Sequence, residues 1–301
     1  MPLLGGWRLR HGVGEEARGG ARHAPLFPAC ANPLCASGRL HLWRNRRAPV
    51  IESGWVCSPA CTLARVQAAV SRELAGGGGG AGEHQHRVPL GLILLAQGWI
   101  DHDQLKRALR AQRQGEPGRI GAWLIAHCGL EEQRVTQALS LQWNCPVYTG
   151  EPDAALLTLC PVPRIFLDAT GVLPLRLAAT GLLYIAFEDR IDHSFTLALE
   201  RMTGWRVEAG LLGGSEFRRY HARMLMGNFV RARLLEADSG ASLAGSLAGV
   251  VEKTQPEEAR LVRVHRFLWL RMWRQAGGAA PGELPGLRQA EDVIGTIAGL
   301  D

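Results

Sequence analysis

The sequence predicts an α+β chain in several parts, and three observations predict it. Residues 87–142 carry apolar positions at helical spacing, and the pattern falls on itself after a shift of thirty residues. Two apolar runs, Val172–Leu177 and Leu182–Phe187, flank Gly181 in the manner of a β-hairpin. An unbroken glycine run, Gly76 to Gly80, separates both from a cysteine-bearing segment ahead of them. Helices first and a small mixed sheet afterwards is the α+β order.

A chain of 301 residues is long for one core, and 47% hydrophobic with 21% charged residues suits packed domains rather than disorder. The net charge is +6, and the only lysines are Lys106 and Lys253. A phosphate-binding surface would draw on both cations, so the arginine excess reads as a compositional bias. No apolar stretch is long enough to span a membrane, and the start at Met1 has too short an apolar run for a secretory signal. The expected compartment is therefore cytoplasmic, where neighbouring cysteines bind metal more often than they form disulfides.

Taken in order, residues 1–27 are rich in Gly, Arg and Ala without periodicity and read as a disordered tail. Residues 28–75 form a four-cysteine unit. Cys30 and Cys35 enclose four residues, and Cys57 and Cys61 enclose three. Two close thiol pairs satisfy a tetrahedral zinc ion. Ser58 suits a helix N-cap and Pro59 the first turn, so Cys57 and Cys61 flank a helix start whose dipole favours thiolate. Leu40–Trp43, Pro49–Ile51 and Trp55–Val56 suggest a short hairpin around Arg44, Arg46 and Arg47. Knuckle, hairpin and capped helix together resemble a treble-clef zinc finger, with a structural zinc. Unrelated cysteines or a redox pair are the competing readings. Cys128, Cys145 and Cys160 stand alone and read as core residues.

Residues 76–86 are a glycine-rich linker, with His84 and His86 as linker residues. Residues 87–226 follow as one domain. In its duplicated half Leu90 meets Ile120, Gly91 meets Gly121, Leu94 meets Leu124, Leu105 meets Val135, Leu109 meets Leu139 and Gln112 meets Gln142. Apolar coincidences arise in any two amphipathic helices, but a recurring Gly and Gln do not. Each copy reads as a short helix, a tight turn and a longer helix. Gly98 makes the first turn and Asp101 with Gln104 forms a capping box; in the second copy Cys128 stands at the turn and Gly129 follows. After the hairpin come a helix from His193 to Met202 stopped by Gly204, a strand from Trp205 to Leu212, and a helix capped at Ser215 that runs to Met226.

The pattern of Arg-Leu-Gly, paired aliphatics, Gly, Leu, Ala-Leu and Gln resembles the N-terminal (MshEN-type) domain of type II secretion and type IV pilus assembly ATPases. Val172–Arg176, Leu183–Ala186, Glu188–Asp189 and Thr203–Val207 extend the likeness through residue 222. The resemblance implies that cyclic di-GMP packs across the two copies, with arginine and glutamine bonding its guanines and phosphates. Carried over, the second copy supplies Arg119, Ile120, Gly121, Leu124, Leu139 and Gln142. The first supplies Leu90, Gly91, Leu94, Leu105, Leu109 and Gln112, but has Pro89 where the arginine belongs, and Arg87 stands two residues earlier. It also implies secretion or pilus assembly proteins as partners.

Residues 227–301 are expected to be a helical and flexible tail. Ala237–Gly249 reads as a linker and 276–301 as loosely ordered. Between them Glu257–Gln275 reads as a helix with Arg260, Arg263, Arg266, Arg271 and Arg274 among Leu261, Val264, Phe267, Trp269 and Trp273. Such a helix either lies on an anionic membrane as a peripheral contact or packs back with its arginines in solvent, and the spread of apolar positions favours the second. No Gly-x-x-x-x-Gly-Lys-Ser/Thr phosphate loop occurs, and no catalytic triad or carboxylate pair stands out. The expected function is a non-enzymatic adaptor or sensor. A zinc-finger regulator that binds nucleic acid is the alternative.

Overall fold

The computed structural model describes residues 29–36, 49–76, 87–114, 118–274 and 286–299. The expected N-terminal tail, the Leu40–Trp43 half of the hairpin with Arg44, Arg46 and Arg47, nearly all of the glycine linker and residues 276–285 lie outside them.

The first described elements are a two-stranded hairpin, β1 (Val50–Ile51) and β2 (Gly54–Trp55), and helix α1 (Pro59–Gly76). Ser58 accepts the Cys61 amide at 3.3 Å, which satisfies one orphan donor of the first turn. Thr62, Val66, Ala69 or Val70, and Glu73 are buried at three- and four-residue spacing, with Cys61 beside Thr62, so α1 lies on one buried stripe.

The duplication is structural. Helices α2 (Leu90–Ala96) and α3 (His102–Arg113) form one copy, α4 (Ile120–Cys128) and α5 (Glu132–Trp143) the other. The capping box is present, with Gln104 N–H on Asp101 at 2.6 Å and Asp101 N–H on Gln104 at 2.8 Å. The turn residues are Gly98, φ 67°, and Gly129, φ 66°. The second copy thus keeps its turn glycine one position later, because α4 runs on to Cys128. Contacts between copies are reciprocal, α2 packing on α5 and α4 on α3.

Next come α6 (Ala154–Thr158), α7 (Arg164–Thr170), β3 (Val172–Ala178), β4 (Leu182–Phe187), α8 (His193–Thr203), β5 (Arg206–Leu211) and α9 (Gly214–Leu225). The sheet order is β3-β4-β5, with β3 antiparallel and β5 parallel to β4. Gly181 at φ 74° closes the hairpin and Gly204 at φ 74° ends α8. The expected cap of α9 is corrected: Ser215 lies inside the helix, and its amide donates at 2.9 Å to Glu132 of α5.

The C-terminal third departs most from expectation. Ala237–Gly249 is no linker, since α10 (Gly240–Thr254) occupies most of it behind Ser239 as N-cap. The expected helix at 257–275 is an antiparallel pair, β7 (Glu258–Val264) and β8 (Phe267–Trp273), turning at His265-Arg266. With β6 (Arg231–Ala237), β9 (Ala290–Ile297) and the hairpin they form one sheet, ordered β2-β1-β7-β8-β9-β6. No amphipathic helix is present there to lie on a membrane, and no described helix is long and apolar enough to cross one.

The central strands of this sheet are covered on both faces, which hides much of their period, while the edge strand β6 is largely exposed. Ala259, Leu261, Leu268, Leu270, Met272 and Val293 pack with α1 and α10, while Val262, Val264, Phe267, Trp269 and Ile294 join the core of residues 90–224. Strands buried on both sides lose the polar alternation that marks a half-exposed strand. Nor do the arginines all reach solvent. Arg271 is fully buried, its Nε and Nη2 each 2.7 Å from an oxygen of the equally buried Asp292.

The four-cysteine unit is built into this sheet. β1 pairs in parallel with β7 at Ile51 and Ala259, and the Thr62 hydroxyl donates to Glu252 of α10. Glu73 of α1 is buried, takes Arg201 of α8 at 3.1 Å and accepts the Arg263 amide of β7 at 3.0 Å. Burial pushes its carboxyl up, but the bonds from Arg201, Arg72 and Arg263 outweigh it and hold Glu73 below the usual carboxylate range.

Candidate functional sites: a thiol cluster and an arginine-lined cleft

The knuckle carrying Cys30 and Cys35 is shaped by Asn32, whose side-chain oxygen takes the Leu34 amide at 3.1 Å while its backbone carbonyl takes Cys35 N–H at 3.1 Å. Ala31 N–H on Trp55 O, 2.7 Å, presses the knuckle onto β2. Cys57 and Cys61 come from the start of α1. The four sulfurs all lie within 4.8 Å of one another, with Cys35–Cys57 at 3.5 Å and Cys57–Cys61 at 3.7 Å. Tetrahedral zinc with Zn–S near 2.3 Å sets sulfurs about 3.8 Å apart, so the set fits the ion. Burial pushes the Cys30 thiol up to about 12. Burial acts the same way on Cys61, but bonds from Ser58, Asn32 and Cys30 hold that thiol below its ordinary value. Close thiols stabilising a thiolate are the chemistry of a cation site.

In the duplicated unit, the recurring glycines have a packing cause. A Cβ on Gly91 would stand 2.7 Å from Leu105 Cδ1, and one on Gly121 would stand 2.8 Å from Val135 Cγ1. These partners occupy equivalent places, so each copy needs a bare backbone where its short helix crosses its long one. Leu94, Leu124 and Leu139 are buried; Leu90, Ile120, Leu105 and Leu109 are half-buried; Gln112 is exposed. Gln142 donates to Val88 O at 2.8 Å, tying the end of α5 to the approach to α2.

Two of the residues picked out in the sequence meet in one cleft of about 1030 Å³, Arg87 and Arg119. Arg87 precedes α2 and stacks on Trp143 at the end of α5, with Cζ 3.4 Å from the ring centre. Arg119 occupies the N-cap position of α4, and its Nη1 donates to Asp189 in the loop after β4. The floor and far wall come from Glu188 to Ser194, Thr170, Leu197, Phe217 and His265. Burial, then repulsion from Asp189, raises the Glu188 carboxyl above its usual range. Asp192 N-caps α8, accepting Phe195 N–H at 2.9 Å, and takes His265 Nε2 at 2.6 Å. Burial raises Asp192, but these two bonds hold it low, while Asp192 draws the His265 pKa upward.

Sequence reading gave no role to Trp143, Asp192 or His265. Trp143 follows Gln142 directly and so lies next to a residue the repeat singles out. His265 carried no usable signal while its segment was assigned to a helix.

Fold and sites together define a two-part chain: a duplicated helical unit with a small α/β half, locked to a sheet that carries a four-thiol cluster. No family model matches the chain, and no curated protein matches it. Among solved structures it is similar to MshE with cdg, at 26% identity and a TM-score of 0.35, over 44% of this chain and 99% of that one. It is also similar to the N-terminal domain of XpsE, at 21% identity and a TM-score of 0.32, over 44% of this chain and 92% of that one. A second crystal form of that domain gives 19% identity and a TM-score of 0.26, over 43% and 90% of the two chains.

Proposed function

We propose that this chain is a non-enzymatic cytoplasmic adaptor or sensor whose cleft binds cyclic di-GMP and whose output is a secretion or pilus assembly protein. The observation that carries the reading is that Arg87 and Arg119 line one cleft. The repeat lacks an arginine at Pro89, and Arg87, two residues upstream, brings a second guanidinium to the same space as Arg119. Two guanidinium groups suit a phosphodiester, which takes paired N–H donors, and suit the acceptor edge of guanine. Asp189 and Glu188 add acceptors for the guanine N–H donors. The Trp143 ring holds the Arg87 guanidinium at the cleft by stacking under it.

The thiol cluster, in this reading, holds a structural zinc that fixes the knuckle and the start of α1 against the sheet.

Calorimetry of the full chain with cyclic di-GMP tests the reading. Saturable binding is expected, and Arg119→Ala should weaken it roughly ten- to a hundredfold, as for a lost charge-assisted hydrogen bond. Absence of heat at about 0.1 mM protein, a concentration that covers weak affinities, rejects nucleotide sensing.

A further inference from the structure

We propose that His265, at the tip of the β7–β8 hairpin, is a ligand-contacting residue of this cleft, so that the C-terminal sheet completes a site begun by the duplicated helices. The inference rests on the cleft being a nucleotide site. His265 lies outside the stretch that resembles the secretion-ATPase domain, which ends at residue 222, yet it lines the same cleft as Arg87 and Arg119.

The tip presents the ring at the wall of the cleft. His265 has φ 51°, in the left-handed region that histidine, like asparagine and aspartate, adopts more readily than most residues. The tip is also fixed from two sides. Arg263 Nε donates to the His265 carbonyl at 2.6 Å, and Asp192 holds Nε2 at 2.6 Å.

That second bond sets the chemistry. With Nε2 given to Asp192, the ring keeps Nδ1 as its other hydrogen-bonding atom, and no other ring bond is present among the described residues. A carboxylate behind an imidazole fixes ring orientation and favours the protonated form, in which Nδ1–H is a donor. The side chain is half exposed, on a wall formed with Asp192, His193 and Ser194. It supplies a cationic donor to a phosphodiester oxygen that the arginines approach from the duplicated unit.

The test uses the full chain and His265→Asn, since asparagine tolerates the left-handed backbone and keeps the tip folded while removing the imidazole. Calorimetry with cyclic di-GMP should show roughly three- to tenfold weaker binding, as for a half-exposed charge-assisted contact. In the wild-type chain the His265 imidazole nitrogen resonances should shift on adding ligand. Wild-type binding that His265→Asn leaves unchanged, with unmoved imidazole resonances, overturns this proposal and leaves the nucleotide reading intact. No wild-type binding overturns both.

Discussion

Replacing Arg271 by leucine removes a cation from the centre of the sheet, and its cost follows from the bonds it makes. Nε and Nη2 each lie 2.7 Å from an Asp292 oxygen, and Nη2 also donates to Pro161 O at 2.8 Å. Both side chains have 0% exposure. Asp292 would keep a single side-chain donor, Trp269 Nε1 at 2.9 Å. Breaking a buried pair from one side costs about 3–5 kcal/mol, because the partner stays buried and charged. The Pro161 carbonyl loses a partner as well, but Arg271 Nη1 has none to begin with, which lowers the native pair's worth. The expected loss is therefore about 3 kcal/mol, a large share of the roughly 5–15 kcal/mol that holds a typical protein folded. Removing Asp292 as well, in Arg271→Leu/Asp292→Leu, deletes the stranded charge and should restore at least about 1.5 kcal/mol. Urea unfolding followed by far-ultraviolet circular dichroism reads both variants. A single variant that loses under about 1 kcal/mol, or a double variant worse than the single, refutes the account.

Two further outcomes follow from the same contacts. Glu73 is held below the usual carboxylate range, so its contribution is complete above the unfolded value near 4.3 and is lost as pH falls through the lower folded value. The stability gap between wild type and Glu73→Gln, measured by urea midpoints, should therefore narrow from about pH 5 to about pH 3; a constant gap excludes the ionised Glu73. Metal analysis should find about one zinc per chain, and chelation should lower the melting temperature by at least about 5 °C. Less than about half a zinc per chain, or a zinc-loaded protein whose melting temperature chelation leaves unchanged, would refute a structural zinc.

The sequence made the duplicated unit legible because two signals agreed there. Apolar spacing marked the helices, and the Gly and Gln coincidences fixed the thirty-residue register that α3 and α5 keep in space. The β3–β4 hairpin was legible through Gly181 and one mixed apolar run on each side. Residues 257–275 misled for a physical reason. β8 is covered on both faces, so its apolar residues do not alternate with polar ones; β7 alternates only from Glu258 to Leu261 before Val262 breaks the period, and the five arginines fall at spacings that imitate a helix face. The turn carries His265-Arg266 instead of Gly or Asn, so no local mark separated the strands. Of the cleft, Arg87 and Arg119 were within reach of the repeat, whereas His265 required the topology of the sheet.

That topology also ties the thiol-bearing unit into the sheet. β1 is a strand of the C-terminal sheet and α1 packs on α10. The Val50 amide bonds Pro256 O at 3.1 Å and the Glu52 amide bonds Ala259 O at 2.7 Å, so the unit cannot swing away without opening the sheet. Helix α8 then joins this assembly to the cleft. Its first turn, at Asp192 to Ser194, forms a wall of the cleft, and its last turn holds Glu73 through Arg201 and offers Met202 O to Arg260 at 3.2 Å. Bonded at both ends, α8 ties the Asp192 wall of the cleft to α1 and β7. The thiol cluster lies at the other end of α1 from Glu73, so α1 links it to the same frame.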